Sequence, residues 1–260
     1  MYKKTLRFIT MGLMVFVVSA NAHSADPLAV TSPDGNIAVT FELKALPQPH
    51  LPGVRAYYHV SYKGQLVLAD SPLGLDFKGG KALDQNFEMV TTDRQSHDSI
   101  WENSFGTKRH VRDHYNQLTV SLRERRPPGR RVDLIFRAYD EGAAFRYVLP
   151  KQEGLEKFTL SSEDTGFYFA HEAFAFALPL NSYTTSYETD YVHQSLNEIK
   201  PTSLIALPLL IGIPQGPWVA LLEADLTDYA GMYLGGVMGV PNALVSRLSR
   251  RVRSPRGSCP

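Results

Sequence analysis

In the stretch Asn36-Ile-Ala-Val-Thr-Phe-Glu-Leu43, every second residue from Ile37 onward is a large apolar one. A period of two places alternate side chains on opposite faces of an extended chain, which is typical of a half-buried β-strand. The preceding Ser32-Pro-Asp-Gly35 predicts a turn, because proline fixes φ and glycine tolerates positive φ. This stretch therefore predicts a strand that follows a turn and packs one face on a core.

The same alternation recurs along the chain, and turn residues separate the runs. The runs begin at Tyr58, Leu118, Val132, Leu204 and Trp218. The predicted turns between them are Lys63-Gly64, Pro127-Pro-Gly129, Asp140-Glu-Gly142 and Pro214-Gln-Gly-Pro217. Because no run keeps a helical period over three turns, the pattern favours an all-β fold, a large sandwich of two antiparallel sheets.

Residues 78–114 are polar and predict a long excursion between strands. Such loops on a β scaffold often carry function. Trp101 lies in this segment and is a candidate for stacking on a sugar ring, because an aromatic face suits the apolar face of a pyranose. Trp218 is instead interpreted as a core residue of its strand.

The N-terminus has the pattern of a cleaved signal peptide over residues 1–22. Basic residues precede the apolar run from Phe8 to Ser19, and Ala20-Asn-Ala22 offers small residues for cleavage. The apolar run is too short to span a bilayer comfortably. We expect a secreted, periplasmic protein that starts near His23, with Asp26 as the alternative, and has no membrane segment after cleavage.

Composition and charge argue against one class of function. The net charge of +1 and the absence of a basic stripe interleaved with aromatic residues give no case for nucleic-acid binding. A hydrophobic content of 43% supports a sizeable core. The single cysteine, Cys259, cannot form an internal disulfide, so the fold must rest on its core and turns.

No residue constellation predicts a catalytic site. Asp140 and Glu141 are adjacent and would point to opposite faces of a strand, so they cannot flank one glycosidic bond. His110 and His114 are four residues apart in a non-helical segment and do not have a recognised zinc spacing. We therefore expect no catalytic residue in this chain.

Five motifs in order carry a resemblance to a known family. They are Ser32-Pro-Asp-Gly35, Arg112-Asp-His-Tyr-Asn-Gln117, Phe136-Arg-Ala-Tyr-Asp-Glu-Gly142, Phe145-Arg-Tyr147 and Glu223-Ala-Asp-Leu-Thr-Asp-Tyr229. The chain resembles the N-terminal domain of glycoside hydrolase family 97, secreted bacterial α-glucosidases and α-galactosidases. Each motif alone is weak evidence for the family. The resemblance rests on their order and spacing together, and it extends over residues 28–248.

The resemblance implies a galactose-mutarotase-like β-sandwich followed in family members by a catalytic (β/α)₈ barrel, which this chain lacks. It implies that the domain helps shape the sugar site and lends one carboxylate to an active-site Ca²⁺. The position that matches this carboxylate is Glu188, in the loop Tyr187-Glu-Thr-Asp-Tyr191.

The residues around Glu188 agree with that role, since calcium takes hard oxygen ligands. Glu188 and Asp190 lie among tyrosines, and no Lys or Arg follows until Lys200. The alternative is a solvated loop carboxylate. Because the remaining ligands would come from the barrel, we expect the chain alone to bind calcium weakly or not at all.

The end of the sequence raises a separate question. The apolar run Asn242-Ala-Leu-Val-Ser-Arg-Leu248 predicts a strand with nothing after it to pair, and residues 249–260 form a basic tail. A shifted reading frame is favoured over an interaction tail as its origin.

We expect the chain to be a non-catalytic domain that is inactive alone and acts with a barrel in cis or on a separate chain. The alternatives are a stand-alone periplasmic carbohydrate-binding module and one subunit of a split glycosidase. A truncated domain should leave an apolar patch around residues 229–248, whereas a free module should be polar there.

Overall fold

The computed structural model describes residues 28–227 and 229–249, which form seventeen β-strands and one short 3₁₀ turn, Leu196–Glu198. These residues contain no α-helix, and none of their helical structure is long and apolar enough to cross a membrane. All strand pairs are antiparallel. The strands are β1 Leu28–Thr31, β2 Ile37–Lys44, β3 Arg55–Tyr62, β4 Gln65–Leu73, β5 Leu75–Phe77, β6 Phe87–Glu102, β7 His110–Glu124, β8 Arg131–Tyr139, β9 Ala143–Val148, β10 Leu160–Glu163, β11 Gly166–Tyr168, β12 Phe174–Ala177, β13 Val192–Ser195, β14 Leu209–Gly212, β15 Trp218–Leu221, β16 Met232–Gly236 and β17 Ala243–Leu248.

Two facing layers enclose the main core. One is the sheet β6-β7-β8-β9, and the other contains the sheet β1-β2-β3-β4. Phe41 of β2 and Tyr58 of β3 contact Phe136 of β8 across the interface, at centroid distances of 5.9 and 6.4 Å. The predicted all-β sandwich is confirmed, and the alternation in residues 37–43 buries Ile37, Val39 and Phe41 as expected.

The second layer continues beyond β4. A bridge between Leu68 and Phe169 joins it to the sheet β11-β17-β16, and Leu234 of β16 bridges to Ile205. A further sheet, β13-β12-β14-β15, packs its inner face on the same core. The inner side chains of its two central strands are fully buried; they are Ala175, Ala177, Leu209 and Ile211.

The polar segment 78–114 is not a long loop, which corrects the prediction. Strands β6 and β7 form a long hairpin whose register runs from Phe87 opposite Glu124 to Glu102 opposite His110. From Thr91 to Glu102 the side chains of β6 are exposed, except that of His97, which is partly buried. This half of β6 is therefore held by its hydrogen-bond ladder with β7 rather than by burial.

The run at Asn242–Leu248 is not unpaired, which corrects a second prediction. Strand β17 lies at the centre of its sheet, pairing with β16 on one side and β11 on the other. Within 229–248 the exposed large apolar side chains of the described residues are Tyr229 and Met238, and Leu222 and Leu226 are exposed just before this segment, so apolar surface lies around its start rather than along its length. The predicted signal peptide and residues 250–260 of the predicted basic tail lie outside the described residues.

The predicted turns are found between the expected strands. Asp140-Glu-Gly142 joins β8 to β9, and the Asp140 carboxylate accepts a hydrogen bond of 2.9 Å from the backbone N–H of Asp34. Two turns distant in sequence are thereby joined at one end of the sandwich. Asp140 and Glu141 thus have a turn role.

Asp164 lies in an acidic cluster between β10 and β11. Burial raises its pKa, and the nearby Asp76 and Asp84 add to the effect. A carboxyl group whose pKa is higher in the folded than in the unfolded state binds its proton more tightly when folded. The resulting contribution to stability is therefore lost as pH rises above the unfolded pKa through the folded one.

We expect Asp164→Asn to be more stable than the wild type at pH 7, by less than about 1 kcal/mol, because it removes the cost of a partly buried charge. At pH 3, where the aspartate is protonated, the two proteins should be equally stable. Urea denaturation at both pH values measures this difference. A less stable variant at pH 7 would show that the Ser162 hydroxyl, which donates to this carboxylate at 3.2 Å, matters more than desolvation.

Candidate functional site

The loop between β12 and β13 carries the predicted metal ligand, and two tyrosines anchor it to β16. The Tyr187 and Tyr233 hydroxyls are hydrogen-bonded at 2.7 Å. The Tyr183 ring meets the Tyr233 ring edge-on at 5.3 Å. The hydrogen bond with Tyr187, together with burial, raises the pKa of Tyr233 to about 12, so the Tyr233 phenol stays protonated at neutral pH. These contacts tie the residue before Glu188 to β16.

Glu188 and Asp190 are both exposed on this anchored loop. Within residues 28–227 and 229–249, no Lys, Arg or His forms an ion pair with either carboxylate. A hard, unpaired oxygen ligand fits the chemistry of calcium. The described residues nevertheless assemble no group of three or more metal-binding side chains. This part of the chain offers one or two carboxylates and no complete site.

Trp101 lies near the outer end of β6 and is half-exposed, at 49%. Ile100 and Phe105 in the same part of the hairpin are also exposed, among the charged side chains of Glu102 and Arg109. Trp101 contacts no other aromatic ring among the described residues, and nothing there joins it to Glu188. The structure thus leaves the two predicted site residues on separate elements.

Trp218 is not a core residue, which corrects the prediction made for it. It is 59% exposed on the edge strand β15, where its ring lies nearly parallel to Phe176, with a centroid distance of 6.1 Å and an interplanar angle of 24°. Phe174 meets Trp218 edge-on at 5.5 Å, and the His193 ring is 4.9 Å from Phe176. We call these four side chains, Phe174, Phe176, His193 and Trp218, the aromatic face.

The register of the sheet explains how the aromatic face forms. Directly opposite residues of antiparallel strands share a face. His193 is opposite Phe176, and Phe174 is opposite Gly212, which is in turn opposite Trp218. A Cβ at Gly212 would overlap Cζ of Phe174 and lie 2.7 and 2.8 Å from its Cε atoms. The missing side chain of Gly212 thus makes room for the Phe174 ring beside Trp218.

Sequence reasoning missed the aromatic face, although one signal was present. In β12 large and small residues alternate as Phe174-Ala-Phe-Ala177, and the alanines are the fully buried ones. The usual interpretation would bury the larger residues. Exposing them leaves aromatic surface in water at a cost, which marks the face as a candidate binding surface.

The remaining candidates have structural contacts. The His97 ring stacks on Tyr115 at 5.0 Å, and Asn116 donates to the carbonyl of Thr31 at 2.9 Å, so this part of β7 ties the hairpin to β1. Glu223 accepts a hydrogen bond of 2.7 Å from the N–H of Met232, closing the connection between β15 and β16. His110 and His114 belong to no cluster of metal-binding residues in the described chain.

The fold and these surfaces define a large antiparallel β-sandwich domain with an exposed acidic loop and an exposed aromatic sheet face. The family described as Glycosyl-hydrolase 97 N-terminal matches residues 30–254. The chain belongs to this family of N-terminal domains of glycoside hydrolases.

Two curated relatives are longer enzymes. A retaining alpha-galactosidase of Bacteroides thetaiotaomicron is 25% identical over 243 residues, which are 90% of this chain and 34% of the relative. A probable retaining alpha-galactosidase of Streptomyces bingchenggensis is 27% identical over 256 residues, covering 93% and 36%. The chain therefore spans about a third of the length of these relatives.

Solved structures of longer enzymes also match this chain over about a third of their length. A glycoside hydrolase family 97 enzyme from Pseudoalteromonas sp. strain K8, in complex with acarbose, matches 85% of this chain with a TM-score of 0.74 and 30% identity. A variant of this enzyme is also known in complex with panose. A beta-arabinopyranosidase matches with a TM-score of 0.72 and 25% identity. The chain covers 32% of the first enzyme and 35% of the last.

Proposed function

We propose that this chain is the non-catalytic N-terminal domain of a secreted, exo-acting α-glycosidase acting on α-glucosidic or α-galactosidic bonds. The observation that carries the proposal is the match of nearly the whole chain to one third of enzymes that act on or bind such sugars. The reacting groups would lie in a catalytic barrel, in cis or on a separate chain. The signal-peptide pattern supports export to the periplasm.

In the assembled enzyme, Glu188 would supply one carboxylate to a Ca²⁺ ion at the active site. Three features support this role: the exposure of Glu188, the lack of an ion-pair partner among the described residues, and the tyrosine anchor beside it. A pre-positioned carboxylate loses less conformational entropy on binding a metal than a mobile one. Calcium bound there would place a positive charge close to the sugar, and the barrel would complete its coordination.

The test is a fusion in which residues 28–248 replace the matching third of the Pseudoalteromonas sp. strain K8 enzyme. We expect this chain alone to hydrolyse no α-glycoside and the fusion to be activated by calcium. Glu188→Gln should raise the calcium concentration for half-maximal activation by about 30-fold, because an amide is a weaker ligand than a carboxylate.

Asp190→Asn is the matched control, since Asp190 is an exposed carboxylate in the same loop. It should change half-maximal activation by less than about twofold. Equal effects of the two substitutions would indicate a general electrostatic influence of the loop. Unchanged activation in Glu188→Gln would contradict the assignment of Glu188 as a ligand.

A further inference from the structure

We infer that the aromatic face, formed by Phe174, Phe176, His193 and Trp218, is a sugar-binding surface separate from the Glu188 loop, and that it takes an α-linked oligosaccharide. The choice of sugar rests on the proposed function. The existence of the surface rests on the geometry of β12, β13, β14 and β15, which is independent of calcium and of a barrel.

The arrangement of the rings favours a pyranose over other ligands. The rings of Trp218 and Phe176 lie nearly parallel, with centroids 6.1 Å apart, and the two side chains are 59% and 37% exposed. The apolar C–H face of a sugar ring can stack on the exposed aromatic surface that these two side chains present. Little ordering cost arises on binding, because the rings already contact one another and are held by the strands.

Hydrogen-bonding groups lie among the aromatic rings. Trp218 carries an indole N–H, and His193 carries two ring nitrogens beside Phe174 and Phe176, at centroid distances of 4.7 and 4.9 Å. A sugar is apolar on its ring faces and polar around its rim. The aromatic face offers the complementary pattern, with ring surfaces for stacking and nitrogen groups among them.

The position of the Phe174 ring over Gly212 indicates that the exposed aromatic side chains are arranged specifically by the sheet. Because Gly212 has no side chain, the far end of Phe174 rests on the sheet backbone and stands perpendicular to Trp218, at 89°. Ala220, on the same face of β15, adds no bulk beside Leu210. The surface around Trp218 therefore stays open to a ligand. At Trp101, by contrast, no second described ring extends the platform.

The chain contains two tryptophans, Trp101 and Trp218, so fluorescence can separate the two candidate surfaces. Trp101→Phe leaves Trp218 as the reporter, and Trp218→Phe leaves Trp101. Each variant of the full chain is titrated with maltotriose, an α-glucosyl oligosaccharide, with melibiose, an α-galactosyl disaccharide, and with the β-linked cellobiose as control. We expect a saturable change in Trp218 emission with maltotriose in Trp101→Phe and no response in Trp218→Phe.

Phe176→Ala, placed in the Trp101→Phe background, removes one ring of the pair and keeps the reporter. We expect it to weaken maltotriose binding by about fivefold to tenfold. Leu66→Ala in the same background is the matched control, because Leu66 is exposed on β4, outside the aromatic face, and binding should not change. Circular dichroism of each variant confirms that the sheet structure is retained.

A response in Trp218→Phe alone would overturn the inference and assign sugar binding to Trp101. No response to any sugar, with concentration-dependent self-association in sedimentation, would overturn it and identify the face as a protein-binding surface. A Trp218 response to melibiose and not to maltotriose would support the surface and overturn the choice of a glucoside. None of these outcomes depends on the calcium test of Glu188, so the two proposals fail separately.

Discussion

Gly236→Ala is expected to destabilise the domain by about 3 kcal/mol, lowering its melting temperature by about 10 °C. A Cβ at Gly236 would overlap the carbonyl oxygen of Ile199 and lie 2.9 and 3.1 Å from the carbonyl carbons of Ile199 and Lys200. All three contacts are with backbone atoms, which cannot swing aside as a flexible side chain can. The N–H of Gly236 also donates to the carbonyl of Lys200 at 3.0 Å, so separating the segments would break this bond.

Thermal unfolding followed by circular dichroism measures the effect. Gly142→Ala is the matched control, because no atom lies within 4 Å of a Cβ built there. We expect the control to unfold within about 0.5 kcal/mol of the wild type. If Gly236→Ala unfolded at the same temperature as the control, the segment from Ile199 to Ser203 would have to be free to move away from β16.

The sequence predicted strands well where one face is buried and the pairing is local. Residues 37–43 bury alternate side chains, and the turn at Lys63-Gly64 joins neighbouring strands β3 and β4. Strand β6 was missed because its second half is exposed on both faces, so no apolar alternation marks it. Strand β17 was predicted unpaired because a partner was sought only after it; its partners are β16, which immediately precedes it, and β11, which lies far earlier in the chain and leaves no local signal.

In the candidate site, too, features with a local sequence signal were predicted and features that depend on long-range contacts were not. The exposure of Glu188 follows from a polar loop sequence, whereas its anchor requires Tyr187 to meet Tyr233, which a local pattern cannot predict. Trp218 was misassigned because an apolar run shows that residues favour burial and does not show which face of an edge strand is covered. The aromatic face depends on the register of four strands, which places Gly212 opposite Phe174 and Trp218. This register is known only from the folded sheet.

Arg130→Met is expected to destabilise the domain by about 4 kcal/mol, because it leaves a carboxylate buried without its partner. The Arg130 side chain is 7% exposed and forms two hydrogen bonds with Glu124, of 2.7 and 2.8 Å. It also donates to the carbonyls of Lys81 and Ala82 at 2.8 and 2.9 Å, and it lies over the Phe77 ring. The guanidinium thus ties the loop between β7 and β8 to the loop after β5.

A double-mutant cycle separates the cost of the unpaired charge from that of the lost carbonyl contacts. Urea denaturation of Arg130→Met, Glu124→Leu and the double variant should show the double variant to be about half as destabilised as Arg130→Met alone, since it leaves no buried charge. Arg123→Met, which breaks the exposed ion pair with Glu88, is the control and should cost less than about 1 kcal/mol. Additive costs in the cycle would mean that Arg130 acts through the Lys81 and Ala82 carbonyls and Phe77, rather than by neutralising Glu124.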